Sequence, residues 1–104
     1  MRLPISTTGV PERGASGFDR LVAHGGARYQ RELHLPRILP VGPQEISDTS
    51  ESGRRSILRR LARALRAERN RGRAGHWTYD LNRHIALAQA YAAERAMFAK
   101  TYKA

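Results

Sequence analysis

The chain has no cysteine, which excludes a disulfide framework, thiol catalysis and a Cys-based zinc site. Aromatics are few, with one tryptophan, two phenylalanines and four tyrosines in 104 residues. Lysine is nearly missing, two residues against 17 arginines. No apolar run approaches the roughly 18 residues that span a bilayer, so no integral membrane segment is expected. The opening "MRLPISTTGVPERGASG" lacks a continuous apolar core and makes a poor secretory signal. Together these point to a cytoplasmic protein, and 104 residues suit one small domain with a modest core.

What is abundant is positive charge, and it is concentrated. The net charge is +10. Residues 1–53 balance six arginines with six acids, whereas residues 54–73 carry nine arginines and only Glu68. A GC-rich coding sequence would account for many arginines, but not for gathering them in one segment. A surplus packed into twenty residues makes a local positive field that favours anionic partners.

Periodicity predicts an all-α fold. Residues 1–17 hold Pro4, Pro11, Gly9, Gly14 and Gly17 among small polar side chains and read as a flexible tail. Residues 18–104 read as a single helical domain. Its first part, 18–46, is a helix over about 18–32 followed by a connector; its second, 47–104, is a helical hairpin. Ser16 and Asp19 form a variant capping box before Phe18, Leu21, Val22, Tyr29 and Leu33 at helical spacing. Gly25 and Gly26 either weaken that helix or let another approach closely. "LHLPRILPVGP" carries three prolines and reads as an extended strip.

The hairpin is expected to be antiparallel, with helices over about 51–72 and 79–101. Asp48 and Glu51 mark the first start. Ile57, Leu58, Leu61, Ala62 and Leu65 share one face, with Arg55, Arg59, Arg60, Arg63, Arg66 and Arg73 opposite. Gly72 and Gly75 stop the helix. In the second helix Leu81, Ile85, Ala88, Ala92, Ala96 and Ala99 make one stripe, and Leu87, Tyr91, Phe98 and Tyr102 a second. This face is wider than one partner helix buries. Leu81, Ile85, Leu87, Ala88, Tyr91, Ala92 and Phe98 are therefore expected to meet another helix, from the Phe18 segment or from a second copy in a homodimer.

The candidate polyanion-binding set is Arg55, Arg59, Arg63, Arg66, Arg69, Arg71, Arg73, Trp77 and Tyr79. Arginines along one helix face can track phosphates, and a following RGR loop with nearby aromatics suits unpaired bases. The plainer reading is a solvated helix face with Trp77 tucked inward, which is how a lone tryptophan beside a turn usually packs. A helix-turn-helix does not fit, because the linker is long and the charge lies on the first helix.

No catalytic residue, metal site or cofactor is implied. His84, on the second helix's apolar face with Asp80 one turn before it, lacks a nucleophile or a paired ligand and reads as a structural histidine. His24, His34 and His76 show no ligand spacing. Glu68 is expected to meet His84 or Arg83, and Arg95 a partner in another segment or subunit. Ser56, after two arginines, fits a phosphorylation site, although capping explains the same serines more cheaply.

The expectation is a non-enzymatic protein binding RNA or DNA through its backbone with little sequence specificity. The alternative is an adaptor or small regulator that meets an acidic protein surface or a partner helix. Peripheral binding to anionic membranes ranks third, since only Ile57, Leu58, Leu61 and Leu65 give the basic helix apolar bulk.

Overall fold

The computed structural model describes residues 17–26 and 28–102, and these are all-α. Of the flexible-tail reading of residues 1–17, residues 1–16, with the Ser16 cap, fall outside them, while Gly17 is not tail but the first residue of α1. The elements are α1 (Gly17–Gly26), α2 (Arg31–His34), a 3-10 turn (Leu35–Arg37), α3 (Pro43–Ser47), α4 (Glu51–Arg73) and α5 (Leu81–Tyr102).

The two long helices run antiparallel. At one end Glu68 of α4 accepts from the Asp80 backbone N–H at the start of α5 (2.9 Å). At the other, the Tyr102 hydroxyl donates to the Thr49 carbonyl just before α4 (3.0 Å). Helix α4 is capped by Ser50, whose hydroxyl accepts from the Gly53 N–H, rather than by Asp48. The Asp48 carboxylate instead accepts from the Ser50 N–H (2.9 Å) and hydroxyl (2.6 Å), fixing the cap itself. Glu51 in the first turn and Arg71 and Arg73 in the last complement the helix dipole.

The core is a seam. Ile57, Leu61 and Leu65 of α4 are buried against Leu87, Ala88 and Ala90 of α5. The proline-bearing segment does not lie extended. Pro36 sits in the 3-10 turn and Pro43 in the first turn of α3, positions where the missing N–H is not needed. Folded this way, the segment delivers Leu35, Ile38 and Leu39 into the core as its third side.

Helix α1 ends at Gly26, short of the expected 32, and packs on α5. A Cβ on Gly25 would run into the Gln89 side chain, whose Nε2 donates to the Leu21 carbonyl (3.0 Å), so the glycine here serves close approach. The expected partner-helix face is therefore divided. Leu87 and Ala88 are buried, Ile85, Tyr91 and Phe98 half-buried, and Leu81 and Ala92 exposed.

A buried clamp ties the short helices to α5. Glu94, which sequence reading passed over, accepts from Arg31 Nε (2.8 Å) and Nη2 (2.6 Å) and from the Tyr29 hydroxyl (2.8 Å). Arg31 Nη1 also reaches the carbonyls of Ile46 and Asp48, both at 3.2 Å. The hydrogen bond to Glu94 holds the Arg31 pKa above its ordinary value. Burial, then the hydrogen bond to Glu94, pushes the Tyr29 hydroxyl well above the usual phenol range.

Removing one partner of a buried ion pair strands the other. Glu94→Gln is expected to destabilise the fold by about 3–5 kcal/mol, while Arg31→Met with Glu94→Met costs less because no charge is left buried. Urea unfolding of the parent, single and double variants checks this. Equal losses would show that the two side chains act through packing alone.

Candidate nucleic-acid interface

Helix α4 turns one face to the core and one to water, and the acids of the fold decide which arginines stay available. Glu51 binds Arg55 (2.8 Å), and the Arg55 guanidinium lies over the Phe98 ring, 4.9 Å from its centroid. Glu45 holds Arg60 (2.9 Å), which also donates to the Pro40 carbonyl (2.8 Å), so Arg60 faces the connector and not the basic face. Arg71 donates to Glu68 (2.7 Å). Of the candidate set, Arg55 and Arg71 are thus committed within the chain.

Arg59, Arg63, Arg66, Arg69 and Arg73 remain exposed, with no hydrogen bond or ion pair to the described residues. At 1.5 Å per residue, the fourteen steps from Arg59 to Arg73 form a row about 21 Å long. The "RGR" at 71–73 is the last turn of α4 and not a loop. The helix stops three residues beyond Gly72, at Gly75 with φ 64°. There the His76 N–H reaches the Arg71 carbonyl (2.9 Å) and the Gly75 N–H the Gly72 carbonyl (3.1 Å), the paired bonds of a Schellman ending. Gly72 stays helical with the Tyr79 ring laid against it, where a Cβ would approach that ring to 2.9 Å.

The aromatics separate into two roles. Tyr79 is half-buried, and its hydroxyl lies 2.8 Å from His84 Nδ1. It belongs to the packing and is no open stacking surface. Trp77 is 87 % exposed, which overturns the inward-packing expectation. The turn after Gly75 points it away from the hairpin, whose end is already closed by Tyr79 and His84.

Beneath this tip lies the second buried carboxylate. Glu68 is 1 % exposed and meets Arg71, the Asp80 N–H and Arg83 Nε at 3.4 Å. Arg83 is the expected partner; Arg71 and the backbone donor were not foreseen. The Arg71 hydrogen bond, then those partners' other contributions, holds the Glu68 carboxyl below its ordinary range despite burial. Asp80 caps α5, accepting from Asn82 N–H (2.9 Å) and Arg83 N–H (3.2 Å), and does not orient the His84 ring. That ring sits 4.8 Å from Phe18 of α1, and its buried Nε2 has no hydrogen-bond partner among the described residues. Arg95 is exposed and makes no ion pair among them.

Compared with family models, curated proteins and solved structures, the chain matches none of them.

Away from the basic row lies a cleft of about 550 Å³ beside the Arg31–Glu94 clamp, with Arg54, Met97 and Lys100 on its wall. Its most buried charges are already bonded to each other. No group of three His, Asp or Glu side chains converges among the described residues, and no helix there is long and apolar enough to cross a membrane.

Burial, then the positive Arg69, holds the His84 pKa below its ordinary value, with Glu68 opposing. The folded state therefore prefers neutral imidazole, while the unfolded chain takes up a proton below about pH 6.5. Stability contributed above that pH is lost as pH falls through the lowered folded value. Thermal unfolding between pH 7 and 5 is expected to show a falling midpoint in the parent and a flatter one in His84→Gln. Identical slopes would remove His84 as the cause.

Proposed function

We propose that the chain is a non-enzymatic binding protein whose α4 grips the phosphate backbone of RNA or DNA with little sequence specificity. The observation that carries this reading is the row of Arg59, Arg63, Arg66, Arg69 and Arg73, which the fold leaves without acidic neighbours along about 21 Å. An ordinary solvated face intersperses both signs. Here the acids are spent elsewhere, on Arg31, Arg55, Arg60 and Arg71. Guanidinium forks suit phosphate oxygens, and neutralising several phosphates gains affinity through counterion release. The row offers charge without a set of base-reading side chains, so binding follows the backbone. The cytoplasm is the compartment we assign to this activity.

The second reading is an adaptor that meets a partner helix or an acidic protein surface. Exposed Leu81, at the start of α5, and Met97, in its C-terminal half, favour it. Helix α1 already covers part of the α5 face, which leaves less area for a partner or a second copy.

Fluorescence anisotropy with labelled RNA and DNA across a salt series tests the leading reading. Five phosphate contacts give a log–log salt slope of about −4.5 on duplex DNA and about −3.5 on single strands. Arg59→Glu, Arg63→Glu and Arg66→Glu together are expected to abolish binding with helicity unchanged, since all three side chains lie in water. Weak binding by the parent at low salt would make the row a solvated face and favour the adaptor.

A further inference from the structure

The hairpin tip carries a second element, and its interpretation rests on the backbone-binding reading above. Trp77 is the chain's single tryptophan and is 87 % exposed. Its indole presents a large apolar π-face to water, with one polar N–H, and that face is open to a stacking ligand.

The indole stacks on the His76 ring, centroids 5.9 Å apart and planes 23° from parallel. That imidazole is held in turn by Thr78, whose hydroxyl lies 2.7 Å and backbone N–H 3.2 Å from Nδ1. The His76 backbone is bonded on both sides, donating to the Arg71 carbonyl and accepting from the Tyr79 N–H (3.0 Å). The result is a flat, exposed platform on a hydrogen-bonded turn. It begins three residues past Arg73, the last member of the arginine row.

We propose that Trp77, backed by His76, stacks on an unpaired base of the strand whose phosphates lie along Arg59–Arg73, making the protein selective for single-stranded nucleic acid over duplex. In a duplex the base faces are covered by their neighbours; in a single strand they are open to aromatic rings regardless of sequence. Charge complementarity selects this occupant. The platform follows the arginine row directly in the chain, across the single turn at Gly75. An anionic membrane would also accept an indole, but α4 offers the bilayer a row of arginines with no large apolar side chain among them.

The lone tryptophan is its own reporter. Intrinsic fluorescence of the full chain is titrated with oligouridylate, with a duplex of matched length and with phosphatidylserine–phosphatidylcholine vesicles. The expected result is quenching by the single strand and little by the duplex. Trp77→Ala, which has no tryptophan and is read instead by anisotropy of labelled oligonucleotide, lowers single-strand affinity about 5- to 150-fold, the range for one stacked base, with duplex affinity and salt slope unchanged. Trp77→Phe retains part of the loss. Because the side chain lies in water, Trp77→Ala is expected to keep parental helicity, checked by circular dichroism. Tight oligonucleotide binding without quenching, and without a Trp77→Ala effect, overturns the platform and leaves the backbone reading standing. Absence of binding by the parent and by Trp77→Ala at low salt overturns both. A blue shift with vesicles alone assigns the tip to a membrane and overturns the proposal.

Discussion

A carboxylate buried in a helix seam has to be paired, and this fold is arranged around two of them. Glu94 and Glu68 are the buried charged residues of the described chain, one on each long helix. Each occupies a helical position that continues the apolar stripe, following Ala90 on α5 and Leu65 on α4. An unpaired charge at either position would cost several kcal/mol, so each has drawn in partners from distant segments. Glu94 brings Tyr29 and Arg31, more than sixty residues away in sequence, and through Arg31 the carbonyls before α4. Glu68 joins the end of α4 to the start of α5. One carboxylate closes the turn of the hairpin, and the other fastens the short N-terminal helices to it.

The same pairing shapes the outer surface. The chain has nine acids against 19 basic residues, so every acid committed to the fold leaves more of α4 uncompensated. Glu45, Glu51, Glu68 and Glu94 each take an arginine, and Asp48 and Asp80 are spent on helix starts. The positive row is thus what remains after the structure has satisfied itself, and its field is local and continuous. The helix that carries it is closed at both ends, by the Ser50 cap at the start and the Gly75 ending at the finish. A charged row on a well-ordered helix presents its contacts without first having to be ordered, which lowers the entropic cost of binding.

Much of the architecture was legible in the sequence. The stripe of Ile57, Leu61 and Leu65 specified α4 and its buried side, because helical periodicity is a local property. The Glu68–Arg83 contact followed from antiparallel geometry once two helices and a short linker were accepted. The prolines misled for an identifiable reason. They forbid a helix interior but suit a first turn, and Pro36 and Pro43 occupy such turns. Gly72 misled in the other direction: it reads as a stop, yet the Tyr79 ring occupies the space a side chain would fill, and the left-handed residue that ends the helix is Gly75. For Glu94 a signal was present, a carboxylate within an alanine-rich apolar face, although nothing local named its partner.

What the sequence by itself determined was the all-α class, the long helices and the segment holding the excess charge, all set by spacing, caps and composition within a few turns of chain. Only the tertiary structure decided which arginines are consumed and which face water, because that depends on acids brought from other elements, as Glu45 is to Arg60. The same holds for Trp77, which faces outward because Tyr79 and His84 already fill the hairpin end. Local rules place a residue on a face; what that face meets is set by packing between segments far apart in the chain.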